Sequence, residues 1–308
     1  MLYSNRREFL RSVIIGAVGA SFTYRSAFGQ APQAITATKL SPNLALLMGD
    51  GGNVALVVAG DSLMLVDGGL PDQADALLKA VAAVDTHKIT TVFNTHWHFD
   101  HIGCNETLGK AGAKIIAHQN VKTRLSMRVT MEALNRTFEP LKPEGQPTQT
   151  FAKGGKMTFG KEALEYMHVD PAHTDGDSYV FFPGSNVLHT GDLQFTGAFP
   201  VIDYSTGGWL GGMMASASAL QKIGDANTKV IPGHGPLSTK ADLKASHDMM
   251  ATVMDRLTPM LKAGKTADEV VASKPTKDLD EKWGKGFMMP DVFVRIAYVS
   301  LQRHEQKA

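Results

Sequence analysis

Between Asn94 and Cys104 the chain reads Asn-Thr-His-Trp-His-Phe-Asp-His-Ile-Gly-Cys, which puts His96, His98, His101 and the carboxylate of Asp100 within six residues. Imidazole nitrogen and carboxylate oxygen are what zinc takes in roughly tetrahedral sites, and the same donor set admits iron or manganese. In an extended segment alternate residues share a face, so His96, His98 and Asp100 are expected together and His101 opposite them, feeding two neighbouring metal positions. Six residues cannot close two such sites. Further candidates are His173 within Pro171–Asp177, Asp192 after Thr190-Gly191, and His234 between Gly233 and Gly235. Each lies beyond a short apolar run or beside glycine, so each is expected on a loop at the end of a strand.

Those loops need strands to deliver them. Ile89-Thr90-Thr91-Val92-Phe93 is β-branched and apolar, the pattern of a buried strand ending at the histidines. Leu44–Leu47, Val54–Val58 and Leu63–Val66 are short apolar runs separated by glycine-rich turns, a meander of hairpins. Asp67-Gly68-Gly69 ends the third run. Pro71-Asp72 opens a helix with Ala76, Leu77, Ala80, Val81 and Val84 on one side, and further helices are expected at 105–110 and 120–128 around a strand at 114–117. Prolines and glycines between 129 and 160, including Gly154 and Gly155, mark a loop over the site or a peripheral insertion. Strands resume at 163–169, 178–182 and 187–188. An aromatic stretch, 194–212, is either a pocket wall or packing. Ser238 caps a long amphipathic helix to about Leu261, and a final helix runs from Pro290 to Gln302. Alternation of strand and helix after an antiparallel start implies mixed sheets with helices outside.

His-x-His-x-Asp-His, an isolated histidine before Thr-x-Gly-Asp, then Thr-Gly-Asp, then Gly-His-Gly, in that order over roughly residues 40 to 240, resembles the metallo-β-lactamase superfamily of binuclear metallohydrolases. The resemblance implies an α/β fold, a four-layer αβ/βα sandwich of two mixed β-sheets with outer helices. It implies that His96, His98 and His173 hold one zinc, that Asp100, His101 and His234 hold a second, and that Asp192 bridges them. It also makes Asp67 a support for the histidine loop and Asp100 a catalytic group that orients the attacking water. Aspartate at 192 departs from the β-lactamase pattern and resembles the glyoxalase-like branch. The implied function is a zinc-dependent hydrolase whose metal-activated hydroxide attacks the carbonyl of a small-molecule ester, thioester, lactone or amide. The alternative is opening of β-lactam rings; further alternatives are an iron-dependent oxygenase of the same fold and a non-enzymatic metal-binding module.

Residues 1–30 read differently from the rest. Asn5-Arg6-Arg7-Glu8-Phe9-Leu10 precedes a glycine-containing apolar run, Val13–Ala20, and a small-residue end at Ala27-Phe28-Gly29. This resembles a twin-arginine export signal and is too short and glycine-rich for a membrane span. The expectation is a signal at 1–30 read by the twin-arginine machinery, then a metallo-β-lactamase-like domain at 31–308 with C-terminal helices from about 238. That protein would be periplasmic, with no membrane anchor after cleavage. The signal takes four of the 31 basic and one of the 30 acidic residues, leaving a net charge of −2 and no basic field for nucleic acid. Cys104 is the one cysteine, so no intrachain disulfide forms; it reads as a small buried hydrophobe. His87, His118, His168, His189, His247 and His304 read as ordinary surface or core residues, with His189, three before Asp192, the one placed to support a ligand. Oligomeric state has no signature here.

Overall fold

The runs at 44–47, 54–58 and 63–66 are apolar on both faces because both of their faces are covered. In this computed structural model, which describes residues 33–306, β1 (Thr36–Ser41), β2 (Leu44–Met48), β3 (Val54–Ala59) and β4 (Ser62–Val66) form an antiparallel meander. A 3₁₀ turn at Pro71–Gln73 leads into α1 (Ala74–Val84), and the chain returns as β5 (Lys88–Asn94), parallel to β4. After α2 (Asn105–Lys110), β6 (Lys114–His118) adds parallel to β5. Beyond α3 (Gln119–Leu125), β7 (Val129–Met131) and β8 (Arg136–Phe138) pair as a separate ribbon, and β9 (Gln149–Phe151) completes a mixed seven-stranded sheet.

The second sheet runs β10 (Gly154–Phe159), β11 (Glu162–His168), β12 (Ser178–Phe182) and β13 (Val187–Phe195), all antiparallel. After α4 (Leu210–Leu220), β14 (Lys229–His234) pairs parallel with β13. The chain ends in α5 (Lys240–Lys262), α6 (Ala267–Ala272), α7 (Asp280–Trp283) and α8 (Pro290–Glu305). Leu46, Val57, Val66 and Phe93 of the first sheet pack against Leu164, Val180, Phe182 and Ile231 of the second. On the outer faces, α1 and α2 cover the first sheet through Leu77, Val81 and Leu108, and α4, α5 and α8 cover the second through Leu210, Leu243 and Phe293. The result is the expected four-layer αβ/βα sandwich. Both sheets end at one edge, and there β5, β13 and β14 deliver their polar residues.

Four local expectations are corrected. The α1 face is Ala74, Leu77 and Val81, with Ala76 and Val84 exposed, because the 3₁₀ turn delays the helical register. Gly154 and Gly155 lie inside β10 rather than breaking it: a Cβ on Gly154 would meet the Tyr166 carbonyl oxygen at 2.4 Å, so glycine permits the close pairing. Thr239, not Ser238, caps α5, because Thr239 and Asp242 exchange side-chain bonds to each other's backbone N–H, and three residues past Ser238 stands Ala241, which cannot reciprocate. The segment 129–160 contributes β7 to β10 rather than forming one loop. The twin-arginine region lies outside the described residues.

Candidate metal centre

The chain leaves extended geometry at Asn94, and the following turn aims its four polar side chains in two directions. His96 and His98 converge with His173 and Asp192, while Asp100 joins His101 and His234; within each group the donor atoms lie inside 4.8 Å of one another. Strict alternation, which would put Asp100 with His96 and His98, fails because residues 95–104 are turn, not strand. Asp192 also sits within β13, and His234 is the last residue of β14, rather than on loops beyond them. The bend that aims Asp192 comes at Gly191, whose φ of 51° is left-handed.

The Asp192 carboxylate faces both groups. Its Oδ2 lies 3.8 Å from His96 Nε2 and 3.3 Å from His173 Nε2, and its Oδ1 lies 3.0 Å from His101 Nε2 and 3.5 Å from His234 Nε2. Asp100 Oδ2 is 3.2 Å from His234 Nε2. Ring nitrogens also confront one another, His98 Nδ1 and His173 Nε2 at 2.8 Å and His101 Nε2 and His234 Nε2 at 3.4 Å. Tetrahedral bonds of about 2.0–2.1 Å to a common cation imply nitrogens about 3.3 Å apart, close to the second of these separations. His96 Nε2, in the first group, and Asp192 Oδ1, facing the second, are buried without a satisfied hydrogen bond, as donor atoms aimed at cations are. The donor set fits a binuclear centre.

Other residues hold the donors in place. Asp67, itself at φ 66°, accepts bonds from Thr95 N, Thr95 Oγ1 and His101 Nδ1, each at 2.8 Å. Thr95 Oγ1 in turn meets His96 Nδ1 at 3.0 Å. Asp67 thus supports the histidine loop without joining either donor group. Asp203 Oδ2 sits 3.3 Å from His98 Nε2 and accepts Thr206 Oγ1 at 2.6 Å. The Val201 carbonyl fixes His173 Nδ1 at 2.8 Å, and Asp177 Oδ2 accepts the His173 backbone N–H at 2.7 Å.

The chain is similar to known proteins. A family model described as the metallo-beta-lactamase superfamily matches residues 47–234, more than half of the chain. The chain belongs to the metallo-beta-lactamase superfamily. It is 25% identical over 248 residues to a beta-lactamase-like protein 2 homolog of Caenorhabditis elegans, covering 76% of this chain and 72% of that protein. It is 30% identical over 129 residues to a hydroxyacylglutathione hydrolase of Gloeobacter violaceus, covering 41% of this chain and 43% of that one. A metallo-beta-lactamase from Pontibacter korlensis superposes with a TM-score of 0.57 at 19% identity, over 70% of this chain and 99% of its own, a likeness of fold. Members of the superfamily include metal-dependent hydrolases and typically bind zinc, and the two His/Asp groups here are compatible with a binuclear site.

Charge divides the superfamily site in this chain. Burial pushes His96 and His173 down, the latter to about 4, so both imidazoles present lone pairs. Burial opposes protonation of His101 and His234 as well, yet nearby carboxylates override it and raise both: Asp192, Asp67 and Asp100 at His101, and Asp192 and Asp100 at His234, which is raised to about 9. Burial would raise Asp100, but His101 and His234 hold it at about 2. Cations bound there would replace protons on the His101 side, coupling metal binding to proton release.

Thr95, Asp177, Val201 and Asp203 were not legible as supports, since single polar residues in irregular segments carry no spacing signal. Asn53 is another: its Nδ2 donates to the Pro232 and Gly235 carbonyls at 2.9 Å each and so brackets His234. His189 touches no donor side chain; its Nδ1 accepts the Gly191 N–H at 3.2 Å and steadies the bend before Asp192. Cys104 is buried with Sγ 3.9 Å from the Ala74 carbonyl, and burial lifts its thiol to about 12, as suits a packing residue. In the aromatic stretch, Phe199 stacks on Phe293 and Trp209 on His304 as packing, while Phe195 stacks on His234 beside the centre.

Proposed function

We propose that this chain is an exported zinc hydrolase that cleaves a small acyl compound, an ester, thioester, lactone or amide. In this reading His96, His98 and His173 would hold one ion and Asp100, His101 and His234 the other, with Asp192 as the carboxylate between the two groups. The observation that carries the proposal is the placement of the Asp192 carboxylate, with one oxygen toward each histidine group. Metals held there supply Lewis acidity toward a carbonyl and lower the pKa of water to about 7.

The chain's own residues then have separate tasks. Asp100 and His234 are the donors with partly exposed side chains, at 13% and 26%, so reactants arrive on their side. Asp100, kept ionised by its histidine neighbours, accepts a hydrogen bond from the attacking water and steers it; its low pKa suits passing a proton on to the leaving group rather than retaining it. Phe195, stacked at 5.2 Å on His234, shields that ring from water on its other side. Aspartate at position 192 and the partial likeness to hydroxyacylglutathione hydrolase support ester or thioester cleavage over β-lactam opening.

The test is turnover of a thioester, a lactone and a chromogenic β-lactam by metal-loaded protein lacking residues 1–30, beside a metal-stripped control. Metal-dependent cleavage of the thioester or lactone with the β-lactam inert is expected. Efficient β-lactam turnover would make the chain a β-lactamase despite Asp192, and oxygen consumption with one iron per chain would replace hydrolysis altogether. Export is tested by Arg6→Lys with Arg7→Lys, which should hold the full chain in the cytoplasm.

A further inference from the structure

The β7–β8 ribbon carries an arginine that the hydrolytic reading does not use. Arg136 opens β8 immediately after Asn135, whose φ of 48° turns the chain back from Glu132–Leu134. Two residues apart on one strand, Arg136 and Phe138 share a face. The Arg136 guanidinium carbon lies 4.3 Å from the centre of the Phe99 ring and 4.8 Å from that of Phe138, and the two rings stack 5.3 Å apart at 18°. Phe99 stands between His98 and Asp100 in the donor segment, and Asp100 is at the open side of the cluster.

The arrangement is held from several directions. Phe138 sets its edge on Trp97 at 5.6 Å, and Trp97 Nε1 donates to Thr206 Oγ1. Glu132, at the other end of the ribbon, bonds through its N–H to Ser205 Oγ at 2.8 Å and through its carboxylate to Arg303 at 2.6 Å. Arg136 itself is exposed and forms no ion pair or side-chain hydrogen bond among the described residues, whereas neighbouring Arg128 is paired with Glu139 at 3.2 Å. A guanidinium against aromatic faces keeps its in-plane N–H fork for a carboxylate, and it has already lost the rotamer freedom that binding would cost.

We propose that Arg136, seated on Phe99 and Phe138, is a carboxylate-recognition site beside the metal centre, so that the substrate is an acyl compound bearing a second, anionic carboxylate. The inference rests on the hydrolytic reading for the word substrate, but the anion site stands or falls separately. A charge-assisted fork contributes enough to matter: loss of one hydrogen bond to a charged partner weakens binding about ten- to a hundredfold.

Two measurements on the metal-loaded protein separate the claims. The first compares 4-nitrophenyl hemiglutarate with 4-nitrophenyl butyrate, in wild type, Arg136→Met and Arg136→Lys, with metal content determined for each. The expected result is a wild-type preference for the hemiglutarate in kcat/KM that falls about tenfold or more in Arg136→Met, carried by KM, and is partly kept in Arg136→Lys. The second is calorimetric titration with glutarate, whose Kd should rise by a similar factor in Arg136→Met. If both esters are cleaved but neither the preference nor glutarate binding responds to Arg136, the anion site is wrong and the hydrolase reading survives. If neither ester is cleaved while glutarate binding still depends on Arg136, the reverse holds. Wild-type protein that does not bind glutarate overturns the site outright.

Discussion

The two donor groups use the same residue types and differ in what grips them. In the first, every imidazole has its other ring nitrogen engaged outside the cluster: His96 with Thr95, His98 with Asp203, His173 with the Val201 carbonyl. In the second, among the described residues only His101 does so, through Asp67, while His234 is stacked on Phe195 and Asp100 bonds within the cluster. The first group is closed and buried; the second opens to solvent at Asp100 and His234. A centre built this way fixes one ion with preset ligands and leaves the other where reactants reach it.

The sharpest way to break that asymmetry is to remove the residue common to both halves. Asp192→Ala should strip both ions and lower turnover by more than about 100-fold, since even outer supports are each worth about 10–100-fold. Elemental analysis beside turnover checks it, and full metal content with unchanged turnover would refute it. Asp203→Asn and Asp67→Asn then sharpen the comparison. Asp203→Asn should weaken the first ion by about 10–100-fold through His98, and Asp67→Asn should weaken the second by a similar factor through His101, with a smaller loss at the first by way of Thr95 and His96. Competition with a chromophoric chelator resolves the two steps; equal losses in both would erase the distinction drawn above.

Gly191→Ala should cost about 1–3 kcal/mol, read as a lower Tm, because a left-handed φ and a strained contact are both imposed. Its Cβ would sit 2.4 Å from Thr95 Oγ1, so metal affinity in both groups should fall with stability. The smallest effect is expected at Cys104→Ala, about 1–2 kcal/mol from lost packing with metal content unchanged.

All seven candidate donors were legible because each belongs to a short motif whose neighbours limit its backbone: the His-x-His-x-Asp-His run, the His173 that precedes Thr-x-Gly-Asp, Thr-Gly-Asp and Gly-His-Gly. Their division into two groups was not readable from alternation, since that rule needs a strand and β5 stops at Asn94. Mixed sheets with helices outside could be read from the alternation of strand and helix after an antiparallel start, and the four layers from the family resemblance, but helix registers could not be read to the residue. Pro71 starts a 3₁₀ turn before α1, and Asp242 decides that Thr239 rather than Ser238 caps α5. Supports such as Asp203 and Asn53 act across 105 and 179 residues of sequence, a distance over which only the folded chain brings partners together.

The central claim is that two donor groups joined by Asp192 form one binuclear centre. Its most direct measurement is the metal content of the purified protein by elemental analysis after incubation with zinc and removal of loosely bound ions. The account predicts two zinc ions per chain, one for each donor group. Retention of a single ion, or of none, would contradict it.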